Sequence, residues 1–452
     1  MDVAARAGPG GRYAPVVMRI ARSVAVAVYR CAALVACAVL VAGPPGWRPA
    51  PALAGGAAVK AQPAAPADPA GPVPCPTVTV PGASRPPAPS PPPRDPSVTT
   101  DRPIGGDALG TPGLVVPPGT ATPPAVTARA WLVADLDSGA VLGACGPHER
   151  YPPASVQKLL LAATVLPRLD PAQVVEVTKP DMDFEPGSSA VGLLVGGRYT
   201  VETLWLGLLL NSGNDAANVL ARLGGGEQGV AGTMAAMNAE ARRLGAYDTH
   251  AVTPSGLDGP GQVTSVYDLA LIARACFARE DFRRYVATRR TQIPAQPPKD
   301  PRGFQIQNDN PLLDRYPGAL GGKTGFTDLA RHTYVGAAER DGRRLVVTIL
   351  SAEARPVRAW QQGAALLDWG FRLPRDAAVG RLVEPGELEA PRSSPSPSPA
   401  PVPEAAAVGS ALRGRTVAAI AGVAVGMLAV ATASGMVVMG SRRPRGQRRR
   451  RR

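Results

Sequence analysis

The sequence predicts an α+β protein in which one antiparallel sheet packs against helices. Three observations predict it. Alternating apolar segments stand at both ends of residues 129–388, apolar runs of helix length stand between them, and Pro-rich stretches bracket the whole. At the start, residues 130–135 and 140–143 alternate, and Asp137-Ser138-Gly139 joins them as a hairpin. Pro152-Pro153-Ala154 stops any strand. Residues 155–166 (SVQKLLLAATVL) then read as an apolar helix with Ser155 in its first turn. That spacing places Ser155 and Lys158 on one face. The helix start also puts partial positive charge where an oxyanion would form. Residues 201–210 form a second helix candidate, broken at Asn211-Ser212-Gly213-Asn214, where polar side chains can be aimed into a cleft. Residues 215–223 restart a helix, and 265–279 form another with Ser265 as its N-cap. Lys323-Thr324-Gly325 precedes strands at 333–338 and 344–350, which are joined at Asp341-Gly342. Gly321, Gly322 and Gly325 permit close approach of a ligand backbone. Residues 361–371 close the domain as a helix with Leu366, Leu367 and Trp369 turned inward.

The 452 residues include 50 Gly and 51 Pro, unevenly spread. Residues 55–128 are mostly Pro, Ala, Gly and Val, too poor in core-forming side chains to offset their ordering entropy, and read as a linker. Residues 389–415, with Ser-Pro repeats at 391–403, read as a second linker. The formal charge is +14, but eight arginines lie in 442–452, two more are Arg413 and Arg415, and residues 1–30 hold a net +4. The middle of the chain is near neutral, and a nucleic-acid partner loses its main support.

Residues 1–54 read as an export signal: Arg19 and Arg22, an apolar run at 31–42, then Ala52-Leu53-Ala54 before Gly55. Residues 416–440 are uncharged and long enough to cross a bilayer, and the Arg-rich 441–452 follows as a cytoplasmic tail. The expected product is an exported domain held at the cell membrane by one C-terminal span. Cys75, Cys145 and Cys276 lie in the exported part. A Cys75–Cys145 bridge is conceivable there, and so is a free buried Cys276. There is no CxxC, and the three histidines are far apart in sequence, so no metal or other cofactor is expected.

Three short motifs carry chemistry: Ser155-Val156-Gln157-Lys158, Ser212-Gly213-Asn214 and Lys323-Thr324-Gly325. In this order they make an S-x-x-K / S-x-N / K-T-G serine acyl-transfer set. The chain has only five lysines against 44 arginines, and two of the five stand in these motifs. Lysine differs from arginine in that burial can deprotonate it, so Lys158 can act as a base toward Ser155. Lys323 can supply a neighbouring cation and hold a carboxylate, with Thr324 adding a hydroxyl. Ser212 can relay a proton, and Asn214 can hold an amide carbonyl. Together these suit acyl transfer from a peptide bond beside a free carboxylate.

On these residues the domain resembles the serine D-alanyl-D-alanine carboxypeptidases, the low-molecular-mass penicillin-binding proteins. The likeness covers roughly residues 128–375. It extends to Ser212–Ala217 (SGNDAA), Pro254-Ser255-Gly256-Leu257-Asp258 and Gly322–Thr327 (GKTGFT). It implies a β-lactamase/transpeptidase-like fold with an all-helical subdomain beside the sheet. It also implies Ser155 as acylated nucleophile and Lys158 as its base, with Ser212 and Asn214 in proton transfer and substrate placement. Lys323, Thr324 and Gly325 would bind the substrate, and the backbone N–H groups of Ser155 and Phe326 would form the oxyanion hole. The substrate would be a peptidoglycan stem pentapeptide losing its terminal D-alanine, and β-lactams would acylate the same serine. Arg331 departs from the pattern, standing where many relatives have Gly, and bears on the width of the cleft. Two alternatives remain open at this point: a β-lactamase, although no E-x-x-L-N motif is found, and an inactive wall-binding scaffold.

Overall fold

The computed structural model describes residues 71–82 and 102–389. After a 3-10 turn at Asp107–Gly110 come β1 (Leu114–Val115), β2 (Ala130–Asp135) and β3 (Ala140–Cys145). A 3-10 turn at Ala154–Gln157 leads into α1 (Lys158–Val165). A ribbon of β4 (Val174–Glu176) and β5 (Arg198–Thr200) precedes α2 (Val201–Asn211), α3 (Asn214–Gly224) and α4 (Gly229–Arg243). Next are α5 (Val266–Ala278), α6 (Glu280–Val286), and the ribbon of β6 (Arg290–Ile293) with β7 (Phe304–Gln307). One helical turn, α7 (Leu312–Arg315), returns the chain to the sheet as β8 (Ala319–Thr327), β9 (Arg331–Arg340) and β10 (Arg343–Ala352). Helix α8 (Ala359–Arg372) and β11 (Gly380–Arg381) follow.

Among the described residues the main sheet has seven strands in the order β1-β3-β2-β10-β9-β8, with β11 also on β3. Every pairing is antiparallel, and the register Leu345↔Asp135 to Leu350↔Ala130 zips the last strands onto the first hairpin. Both faces of β2 are apolar, as alternation requires of a strand covered on two sides. Leu132 and Ala134 face a core shared with Leu159, Leu160 and α5, while Trp131 and Val133 face one shared with α8. Leu366, Leu367 and Trp369 are fully buried in the second core. Trp369 meets Trp131 edge-on at 5.9 Å and donates its indole N–H to Ala121 O at 2.7 Å. The α+β expectation holds: α5 and α8 cover the two faces of the sheet, and α2, α3 and α4 pack together beyond α1.

Two expectations change. The helix of 155–166 opens as a tighter 3-10 turn, so Ser155 precedes α1 instead of lying in it. The linker of 55–128 is not uniform either. Residues 73–78 run along the domain, with Val78 N donating to Val126 O at 2.9 Å and Leu114 N to Val73 O at 2.7 Å. Cys75 is bonded to Cys145 of β3, and Leu109 is fully buried. Cys276 is free and buried. The apolar patterning that marks the domain from 129 onward is absent from this strap, because it is held by backbone pairing and a disulfide. The expected signal (1–54), the Ser-Pro repeats, the span (416–440) and the tail lie outside the described residues. Among the described residues no helix is long and apolar enough to cross a membrane.

Candidate active site

Ser155 sits on a strained turn. Ala154 before it has φ of 49°, a left-handed conformation that non-glycine residues rarely adopt. Three contacts hold that turn. Thr333 Oγ1 of β9 donates to Pro153 O at 2.8 Å, Gln157 Nε2 donates to Thr253 O at 2.9 Å, and the same amide donates to Gln262 Oε1 at 3.0 Å. Gly256, at φ of 87°, packs directly on the Ala154 carbonyl, where a Cβ would overlap it. Gly325 of β8 lies against the same turn, and a Cβ there would stand 2.9 Å from Ser155 N. Its glycine is required by this close packing of strand on turn, in addition to any need to admit a ligand.

The 3-10 geometry eclipses residues three apart. Lys158 Nζ accordingly lies 2.9 Å from Ser155 Oγ. The Lys158 side chain is fully buried. Its Nζ donates to Asn214 Oδ1 at 2.8 Å and to Ser255 O at 2.7 Å. Burial, and then the nearby Lys323 cation, push this amine well below the ordinary lysine range, against the pull of Asp215. A neutral amine has two N–H donors and one lone pair. The two carbonyl oxygens can only accept, so they take both donors, and the lone pair is left for the Ser155 hydroxyl proton. That is the arrangement a serine nucleophile needs from its base.

Ser212 ends α2 in the left-handed region, with φ of 65°. It is buried, and its Oγ has no hydrogen-bond partner among the described residues. Asn214 starts α3, and its Nδ2 donates to Ser188 Oγ at 2.9 Å. The next residue, Asp215, is buried and accepts four backbone N–H groups, from Val191, Gly192, Leu193 and its neighbour Ala216, at 2.8–2.9 Å. It thereby fixes the loop that brings Ser188 and Ser189 to the site.

These parts line one cleft of about 370 Å³, with Ser155, Ser188, Ser212, Asn214, Thr324 and Phe326 among its walls. Lys323 stands behind it, buried, donating to Thr324 O at 2.8 Å. Burial pushes the Lys323 ammonium down to about 8, while Asp309 opposes the shift. Phe326 is 49 % exposed at the rim. The structure thus brings Ser155, Lys158, Ser212, Asn214, Lys323, Thr324, Gly325 and Phe326 together. Sequence reasoning missed Ser188, Ser189, Asp309 and His332 in the same cleft. Nothing in their spacing marks them; the loop clamped by Asp215 carries Ser188 and Ser189 there, the bond of Asp309 N to Leu210 O at 2.8 Å carries Asp309, and the pairing of β8 with β9 carries His332. Ser255 was within reach of the sequence, through the block that also contains Gly256.

Away from the cleft, His148, Asp248 and Asp268 converge, with ligand atoms within 4.8 Å of one another. Both ring nitrogens of His148 already face partners, Asp248 Oδ2 at 2.8 Å and Ile104 O at 3.0 Å, which suits a structural ion pair better than a metal.

An antiparallel sheet, a helical layer and a buried lysine beside a serine on a strained turn define the class of penicillin-recognising serine acyltransferases. The chain belongs to the D-alanyl-D-alanine carboxypeptidases of peptidase family S11, whose family model matches residues 118–354. It is 46% identical over 277 residues to the D-alanyl-D-alanine carboxypeptidase DacB2 of Mycobacterium tuberculosis, covering 59% of this chain and 90% of that one. DacD of Salmonella typhimurium is 34% identical over 259 residues, covering 55% of this chain and 64% of that one. Among solved structures, a D-alanyl-D-alanine carboxypeptidase from M. tuberculosis H37Rv superposes with a TM-score of 0.56 at 44% identity, over 59% of this chain and all of that one. The Streptomyces K15 DD-transpeptidase gives 0.54 at 28% identity, over 56% of this chain and all of that one.

Proposed function

We propose that this protein is a serine-type D-Ala-D-Ala carboxypeptidase that removes the terminal D-alanine of peptidoglycan stem pentapeptides through an acyl-enzyme on Ser155. The observation that carries it is the buried Lys158 amine, 2.9 Å from Ser155 Oγ, with both its donors taken by carbonyl oxygens. In this reading Lys158 takes the hydroxyl proton as Ser155 Oγ attacks the carbonyl of the terminal D-Ala-D-Ala bond. The oxyanion is met by the backbone N–H groups of Ser155 and Phe326. Ser212, whose Oγ is otherwise unpartnered, relays that proton from the Lys158 ammonium to the leaving nitrogen, which returns Lys158 to its neutral form as D-alanine departs. Water then attacks the ester with Lys158 again as base, returning Ser155 and freeing the shortened peptide. Lys323 and Thr324 hold the terminal carboxylate, and Asn214 the penultimate amide.

The same reading makes the protein an exported enzyme with its catalytic domain outside the cell membrane and residues 416–440 as a C-terminal span. Support comes from the uncharged length of that segment, the arginines after it, and the site of wall peptides. β-Lactams mimic the same terminus and would acylate the same serine. Mass spectrometry of the full-length protein after penicillin treatment tests the assignment: an adduct confined to Ser155 is expected, lost in Ser155→Ala together with D-alanine release from a D-Ala-D-Ala peptide. An adduct elsewhere, or release that survives Ser155→Ala, would sink it.

A further inference from the structure

The tip of the β8–β9 hairpin holds an arrangement that none of the three motifs predicts. Arg331, the first residue of β9, has φ of 58°. Left-handed backbone at a long side chain is strained, and it persists only where its surroundings hold it. Those surroundings are specific. The guanidinium pairs with Glu353 at 3.0 Å, a carboxylate only 6 % exposed just past β10. The same guanidinium lies over the Phe326 ring, 5.7 Å from its centroid. The Phe326 ring in turn tilts onto His332 at 4.7 Å, and these two residues are direct partners in the β8–β9 register. Both Phe326 and His332 line the cleft with Ser155. One line of contact therefore runs from a carboxylate anchored beyond β10, through Arg331, to the wall that faces the serine.

We propose that Arg331 is a positioning residue for acyl transfer: its Glu353 pair and its contact with the Phe326 ring fix the β8–β9 tip, and with it the Phe326 backbone N–H, at the distance from Ser155 that an oxyanion requires. Phe326 is half exposed, and besides Arg331 its ring is packed on His332. Thr327 Oγ1 donates to Asp258 Oδ1 at 2.9 Å and accepts from Ala330 N at 2.9 Å, which secures the far side of the tip but not the Phe326 ring. Arg331 covers the ring from a second side and ties it to the buried Glu353 carboxylate, a restraint that the β8–β9 pairing and His332 do not supply. This inference rests on the carboxypeptidase reading above.

The test is the rate of penicillin acylation of the full-length protein, divided by the amount of adduct formed at completion so that only competent sites are counted. Arg331→Ala keeps a non-glycine residue in the strained conformation and removes the guanidinium together with its methylene stem. It should acylate about tenfold more slowly per site, since sub-ångström misplacement of a catalytic group has effects of that order. Glu353→Gln should be slowed similarly, and Arg331→Lys should recover part of the rate. A merely structural role would lower the amount of adduct at completion and leave the rate per site unchanged. A wild-type rate per site in Arg331→Ala, or slowing not shared by Glu353→Gln, overturns the proposal while the function stands. A wild-type protein that forms no Ser155 adduct overturns both.

Discussion

Lys158 and Lys323 lie in one site, and the chemistry needs them in opposite protonation states. Burial disfavours charge on both. The pair separates because Lys323 has Asp309 to favour its ammonium, while Lys158 has Lys323 against it. Lys323 then holds its proton up to about pH 8 in the free enzyme. Below that pH it can bind a carboxylate; above it the attraction is lost. We therefore expect kcat/KM for D-alanine release to fall as pH rises through about 8, since this parameter reports the free enzyme. Removing the Asp309 charge takes away what raises the Lys323 value, so Asp309→Asn should move that alkaline limb to lower pH. A pH–rate profile of the two proteins checks it, and a limb that stays in place would remove Asp309 from this account. The sequence pointed to both lysines because lysine is scarce in this chain, but Asp309 carries no such mark.

At the level of elements, the site is a meeting of three pieces: the 3-10 turn before α1, the α2–α3 junction, and β8. What lets them approach is small side chains at the contacts. A Cβ on Gly325 would collide with Thr333 Oγ1 and crowd Ser155 N, and one on Gly256 would overlap the Ala154 carbonyl. Gly325→Ala would push β8 off the serine turn. A displacement near 1 Å slows such a site on the order of a hundredfold, so acylation should fall by that much while the fold persists. Acylation kinetics beside a thermal melt will show it; an unchanged rate would mean that the turn yields without harm. The helices of this region were legible because their apolar runs are long and their ends are polar or capped, as with Ser265 accepting from Asp268 N at 3.1 Å. The 3-10 start at Ser155 was not, since an i+3 spacing fits both helix types.

Across the whole molecule, the Cys75–Cys145 bond sits by the β1–β3 edge of the sheet, and β8 of the cleft forms the other edge. The bond fastens the strap to β3, four strands from β8 in the sheet order. The bond spans 70 residues of sequence. In the chain-entropy account a loop of that length stabilises by roughly 4 kcal/mol. A Cys75→Ala/Cys145→Ala protein should melt several degrees lower by calorimetry, yet acylate Ser155 at the wild-type rate. A slower acylation would mean that the strap reaches the site. By itself the sequence determined the α+β class, the hairpin at Asp137-Ser138-Gly139, the closing helix and the eight motif residues, because patterning and motif spacing are properties of short stretches of chain. Only the tertiary structure decided that Lys158 has its lone pair free for Ser155, that Asp309, Ser188 and His332 share the cleft, and that Arg331 braces Phe326. The first two depend on contacts between segments tens to more than a hundred residues apart, and the third on how one hairpin tip meets Glu353 across the sheet; local sequence holds no record of either.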